Sequence, residues 1–321
     1  MAREVAVQRV EKRVVKPEKH AKNEVVGAAV SVITTALARP ATYVGQLREA
    51  VSLATCVARY PLGFLEDGVH VVEPGVDATH DTPVLLVHGY GHNRSAWYTL
   101  ERHLRAASFS RLFSVNYNPL RHSVPILAAQ LREHVETVRA ATGAERVHVI
   151  GHSLGGIILR WYVQELGGDE HVDVAVTMAS PHEGTHAAWI GFGRTAVQLR
   201  PGSALIRRLR AAARPSSVRW VAVYSNLDLL VQPCTSAMLR VPALRATNVL
   251  AKDHGHMAML LSPGVAATIT AQLEAAEGVA GVGTLRSLPS AAEDTSLGTP
   301  MTAPSMAPAM GGAVAPPMAG R

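Results

Sequence analysis

From Thr82 onward, short and nearly unbroken apolar runs alternate with longer stretches whose apolar positions recur at helical spacing. Runs of the first kind predict buried strands at Val84 to Val87, Leu112 to Tyr117, Val147 to Ile150, Val172 to Met178, Trp220 to Tyr224 and Ala246 to Leu250. The second kind predicts helices at Ala96 to Ala107, Val124 to Ala141, Leu154 to Leu166 and His256 through Glu277. Strands without polar alternation have both faces covered, so the pattern implies a mostly parallel sheet with helices on both faces.

Outside this stretch the pattern changes. Ala41 to Tyr60 keeps Val44, Leu47, Val51, Leu53 and Val57 at helical intervals and breaks at Pro61 and Gly63, predicting a helical extension that packs on the rest. Between Pro181 and Ser217, apolar residues such as Trp189, Ile190, Phe192 and Leu205 are mixed with arginines, which fits either an inserted cap or two ordinary surface helices. Gly278 to Arg321 is rich in Ala, Pro, Gly, Ser, Thr and Met and has no periodicity, the composition of a disordered tail. The resulting division is a basic N-terminal segment and helical extension over 1–81, an α/β domain over 82–277 with a candidate cap at 181–217, and a tail over 278–321.

Composition narrows the partners. The formal charge is +6, but aromatic residues make up only 5% and no basic stripe alternates with stacking rings, so the chain is read as having no nucleic-acid partner. Cys56 and Cys234 match neither a zinc site nor a redox pair and leave the compartment open. A basic stretch, Arg3 to Lys22, precedes the apolar segment Val25 to Ala38, which ends in Ala36-Leu37-Ala38 like a signal-peptide cleavage site. Its scattered glutamates and hydroxyl residues argue instead for a helix packed on the domain or lying on a membrane surface, so peripheral membrane contact through this segment is an expectation and localisation stays open between cytoplasm, membrane and secretion.

The candidate chemistry centres on Gly151-His152-Ser153-Leu154-Gly155, a G-x-S-x-G directly after one predicted strand and directly before a predicted helix. A serine between strand and helix sits on a sharp turn that only flanking glycines leave room for, and its hydroxyl is pushed out of the sheet. Such a serine needs a base, and the base needs an acid. Asp228, shortly after the strand Trp220 to Tyr224, is the natural acid, with Asp253 as competitor. His256, at a loop-helix junction after the last strand, is the natural base, with His254 as competitor. The amides of Leu154 and of Tyr90, in His88-Gly89-Tyr90-Gly91, are the candidate oxyanion donors, while His88 and His152 are read as structural. A literal H-E-x-x-H at His182 to His186 would suit zinc on a helix, but Gly184 interrupts it and no third ligand is evident.

With the elbow, the H-G-x-G loop, and the segments around Asp228 and His256 in that order, the chain from Thr82 to Ala276 resembles the compact bacterial triacylglycerol lipases and esterases of the α/β-hydrolase family. The resemblance implies the α/β-hydrolase fold and a triad of Ser153, Asp228 and His256, with Tyr90 and Leu154 in the oxyanion hole. The expected reaction is hydrolysis of lipid or acyl esters through an acyl-enzyme, with no cofactor and no metal. Alternatives with the same triad are a thioesterase or an acyltransferase, and from another class a non-catalytic lipid-binding protein. The small enzymes have no lid and no N-terminal helical extension, so lid behaviour and substrate length stay open, as does oligomeric state.

Overall fold

A computed structural model describes residues 40–64, 68–72 and 80–278. The expectations for the basic stretch, for the apolar segment ending at Ala38, and for the tail beyond Gly278 lie outside these residues. Seven strands form one sheet: β1 (Gly68–Val72), β2 (Val84–Val87), β3 (Leu112–Asn116), β4 (Val147–His152), β5 (Val172–Met178), β6 (Arg219–Tyr224) and β7 (Thr247–Leu250). Their order is β1-β3-β2-β4-β5-β6-β7. All neighbours are parallel except β1, which runs antiparallel to β3 at the edge.

The main helices are α1 (Pro40–Arg59), α2 (Tyr98–Ala106), α3 (Val124–Thr142), α4 (Leu154–Glu165), α5 (Gly193–Gln198), α6 (Ala204–Ala211), α7 (Ala258–Leu261) and α8 (Pro263–Ala276). Strand residues alternate between two cores, as a period of two requires. Leu85, Val87, Val149 and Ala222 face α3, α4 and α6, packing with Leu131, Ile157 and Leu209. Val84, Leu86, Ile150 and Val176 face the other way, packing with Leu104, Ile269, Leu273 and Trp97. Burying a side chain of this size contributes about 1.5–3 kcal/mol, which is why both faces need a helical cover.

The six predicted strands are present within a residue or two at their ends. Two features differ from expectation. β1 lies beyond the predicted helix of Ala41 to Tyr60 and is not among the predicted strands: it is short and carries His70 in its middle, and its partner is β3 rather than anything local. The last predicted helix is split, because Pro263 disfavours helical ψ at Ser262, whose ψ is 117°. Ser262 then caps α8 by accepting from the amide of Val265 (3.3 Å). No helix among the described residues is long and apolar enough to cross a membrane.

Candidate active site

β4 lies in the middle of the sheet and ends at Ser153, which enters α4 with φ 53° and ψ −117°. A non-glycine residue in such a conformation costs of order 1–3 kcal/mol and persists only where its surroundings hold it. Here the Ser153 amide donates to the Met178 carbonyl (2.7 Å) and the Gly156 amide donates to the Ser153 carbonyl (3.2 Å). The turn is tight enough that a Cβ at Gly155 would overlap the carbonyls of Val87 and His88. The two glycines of the motif thus let α4 start against the end of β2.

Asp228 follows β6 and is wholly buried. Its Oδ1 accepts from the amides of Leu230 (2.9 Å) and Val231 (2.8 Å), which leaves Oδ2 for His256 Nδ1 at 2.8 Å. A proton on Nδ1 leaves the Nε2 lone pair available, the tautomer this hydrogen-bond network favours. His256 sits beside the elbow: its carbonyl accepts from His152 Nε2 (3.3 Å), and the two rings are 4.7 Å apart. Burial alone would lower the His256 pKa. The charge and hydrogen bond of Asp228, with a further contribution from Glu49, outweigh it and hold the imidazolium above the ordinary value.

The competing residues are occupied elsewhere. Asp253 Oδ1 accepts from Asn226 Nδ2 (2.9 Å), while His254 engages the Lys252 carbonyl (2.7 Å) and Ser262 Oγ (2.9 Å). Tyr90 lies on the loop that faces the elbow, where a Cβ on Gly89 would stand 3.1 Å from the Ser153 Cβ. No acceptor among the described residues takes the amide of Tyr90 or of Leu154. His88 is fully buried, stacks on Tyr117 at 4.1 Å and has its pKa lowered to about 4 by burial. His152 is held well below the ordinary histidine value, mainly by burial and then by neighbouring His256. Both are built into the scaffold as read from the sequence.

The H-E-x-x-H residues do not share one helical turn. His182 and Glu183 lie in a turn, with His182 Nε2 against Thr177 Oγ1 (3.0 Å) and Glu183 paired with Arg210, while His186 opens a separate 3-10 turn. The connection from Pro181 is pinned beneath by the buried Arg160, which donates to the carbonyls of His182 and Leu209 (3.2 Å each). Above, it touches the loop that carries Tyr90, since the Tyr90 hydroxyl donates to the Phe192 carbonyl (2.7 Å). Ile190 and Phe192 are exposed. Trp97 is fully buried in the core on the α2 and α8 face. Cys56 and Cys234 are both free thiols.

Sequence reasoning missed Glu49. Its carboxylate, carried by α1, accepts from the amides of Met257 (2.9 and 3.0 Å) and Ala258 (2.8 Å), the two residues after His256. The only available signal was that Glu49 is the sole acidic residue of its helix. Nothing in the spacing named its partner.

A family model described as the alpha/beta hydrolase fold matches residues 82–204. The chain is 30% identical over 107 residues to a probable esterase, PIR7A, of Oryza sativa subsp. indica, a match covering 32% of this chain and 41% of that protein. It is 32% identical over 114 residues to a triacylglycerol lipase of Pseudarthrobacter phenanthrenivorans, covering 33% and 35%. The match thus spans less than half the length of each of these curated relatives. Among solved structures, the mature Bacillus licheniformis lipase BlEst2 superposes with TM-score 0.55 at 14% identity, covering 64% of this chain and 97% of that one. Aspergillus fumigatus lipase B does so with TM-score 0.55 at 20% identity, covering 63% and 55%.

Proposed function

We propose that this chain, whose fold is that of the α/β hydrolases and whose relatives include an esterase and a lipase, cleaves carboxylic esters of apolar acyl chains with Ser153 as nucleophile. In the first half-reaction Ser153 Oγ attacks the ester carbonyl while His256 Nε2 takes its proton. Asp228 holds the imidazole in the required tautomer and stabilises the imidazolium that forms. The charge that develops on the carbonyl oxygen faces the amides of Tyr90 and Leu154. When the tetrahedral intermediate collapses, the bond to the alkoxy oxygen breaks and His256 gives its proton to the leaving alcohol. Water then attacks the acyl-serine by the same steps, releasing the acid and restoring the hydroxyl.

The observation that carries this reading is the 2.8 Å bond between His256 and the buried Asp228, beside a serine held at φ 53°. An apolar substrate is favoured by a cavity of about 240 Å³ between α1 and the loop after Tyr90, lined by Leu53, Val57, Tyr60, His92 and Met257 among others. Pockets of this kind take apolar groups and leave orientation to a few polar ones.

The test is hydrolysis of nitrophenyl esters of increasing acyl length, with Ser153→Ala and a metal chelator in parallel. Hydrolysis that rises with chain length, survives the chelator and vanishes in the alanine variant is expected. Retained activity in Ser153→Ala would overturn the assignment. A marked preference for coenzyme A thioesters would turn the reading to a thioesterase.

A further inference from the structure

We propose that Glu49 is a positioning residue for His256: from a helix that precedes the whole sheet, its carboxylate clamps the two amides following the histidine and sets a second negative charge near the imidazole. The inference rests on His256 being the base in the reading above.

Three hydrogen bonds of 2.8 to 3.0 Å link the Glu49 carboxylate to Met257 and Ala258 across more than two hundred residues of chain. A carboxylate that accepts from backbone amides makes the stronger, charge-assisted kind of bond. Its approach depends on Gly255, where a side chain would overlap the Glu49 Oε2, Cδ and Cβ atoms. One helical turn earlier, α1 touches both loops of the site: a Cβ at Gly45 would stand 2.5 Å from Leu227, next to Asp228, and 3.0 Å from the Asp253 carbonyl. The residues on either side of His256 are therefore fitted to this one carboxylate, while Asp228 holds the ring from the opposite loop.

The groups that act on the His256 ring are Asp228 from the loop after β6, Glu49 from α1 and His152 from the end of β4. His152 is kept neutral by burial and adds no positive charge. The two carboxylates together overcome burial and favour the imidazolium. An imidazolium forms in the transition state of both half-reactions, so a charge that stabilises it raises kcat. The same charge raises the pH below which the resting base is protonated and idle.

A simple cap would stabilise the segment without touching that titration, and this separates the two roles. The pH dependence of kcat/KM is measured on a nitrophenyl ester for the parent, Glu49→Gln and Glu49→Asp, and the His256 ring is titrated by NMR in each. Loss of the charge in Glu49→Gln is expected to move the acid limb and the imidazole titration down by roughly half a pH unit, equivalent to about threefold. kcat on the alkaline plateau falls and KM stays unchanged, because Glu49 does not meet the substrate. Glu49→Asp keeps the charge but retracts it from the amides, so the limb stays near the parent's while kcat falls. An acid limb and an imidazole titration in Glu49→Gln that coincide with the parent's overturn the proposal, whatever happens to thermal stability. Failure of both variants to fold also overturns it, since Glu49 would then serve the fold alone. Should no ester be cleaved by any of the proteins while the imidazole titration still moves, the coupling stands and the hydrolase reading falls.

Discussion

Ser153 occupies a backbone conformation that few side chains tolerate, and the hydrogen bonds at its amide and carbonyl fix it there. In the proposed reaction this backbone would aim the hydroxyl before any substrate arrives, which is the part of catalysis that position alone supplies. Ser153→Ala is expected to abolish ester hydrolysis while leaving the melting temperature within a few degrees of the parent. Asp228→Asn is expected to lower kcat by about 10³ to 10⁴-fold, because an amide in place of the carboxylate stabilises neither the tautomer nor the imidazolium. Steady-state kinetics on purified, folded variants checks both. The pH profile follows from the same pair. Since the base must be neutral to act and its pKa is raised above 6.5, kcat/KM falls on acidification with a midpoint above 6.5. A midpoint below that value would contradict the pairing.

Elements position these residues by close approach. α4 can begin at Leu154 only because Gly155 lets its backbone lie against the ends of β2, and the loop carrying Tyr90 continues from that same strand end. Gly155→Ala is therefore expected to push β2 and α4 apart, lowering stability by about 1–3 kcal/mol and kcat by more than KM changes. Urea unfolding and kinetics on one preparation separate the two effects. On the outer side of α4, Arg160 is completely buried and bonds Gln164 and the carbonyls of His182 and Leu209. Burial lowers its pKa to about 10, yet it remains charged at neutral pH. Arg160→Leu would leave the His182 carbonyl without this donor, and the Leu209 carbonyl with Gln164 Nε2 (3.0 Å) in its place, and is expected to cost about 3 kcal/mol and to loosen the segment beginning at Pro181. Protease susceptibility of that segment reports the loosening. The central strands and the elbow were readable at this scale because β2, β3 and β4 are buried along their whole length and leave apolar runs. β1 was not, because an edge strand with His70 in the middle takes its identity from pairing with β3.

At the scale of the whole described chain, buried histidines set the response to acid. His88 has its pKa lowered to about 4, and His152 and His182 are held well below 6.5, burial being the main cause in each case. A base with a lower pKa when folded takes up its proton more readily when unfolded, so its stabilisation is present above 6.5 and is lost as pH falls toward the folded value. For His88 the full loss amounts to about 3 kcal/mol. His256 runs the other way: its raised value stabilises the fold below 6.5 and that contribution fades as pH rises through the folded pKa. His92 is lowered by burial as well, so with four histidines against one, urea midpoints are expected to drop between pH 6.5 and 4. A midpoint that is flat or rises over that window would show that these histidines are solvated.

The sequence by itself determined what depends on neighbours along the chain. Apolar runs and their spacing specified six of the seven strands, and glycines around Ser153 specified the strand-turn-helix elbow. The order of serine, acid and histidine narrowed the candidates to a few residues. Tertiary structure alone decided which of them meet: Asp228 rather than Asp253, His256 rather than His254, and Glu49 against amides more than two hundred residues away. A local pattern encodes the conformation of its own segment, whereas a hydrogen bond between distant segments exists only once the sheet has closed and fixed both ends in space.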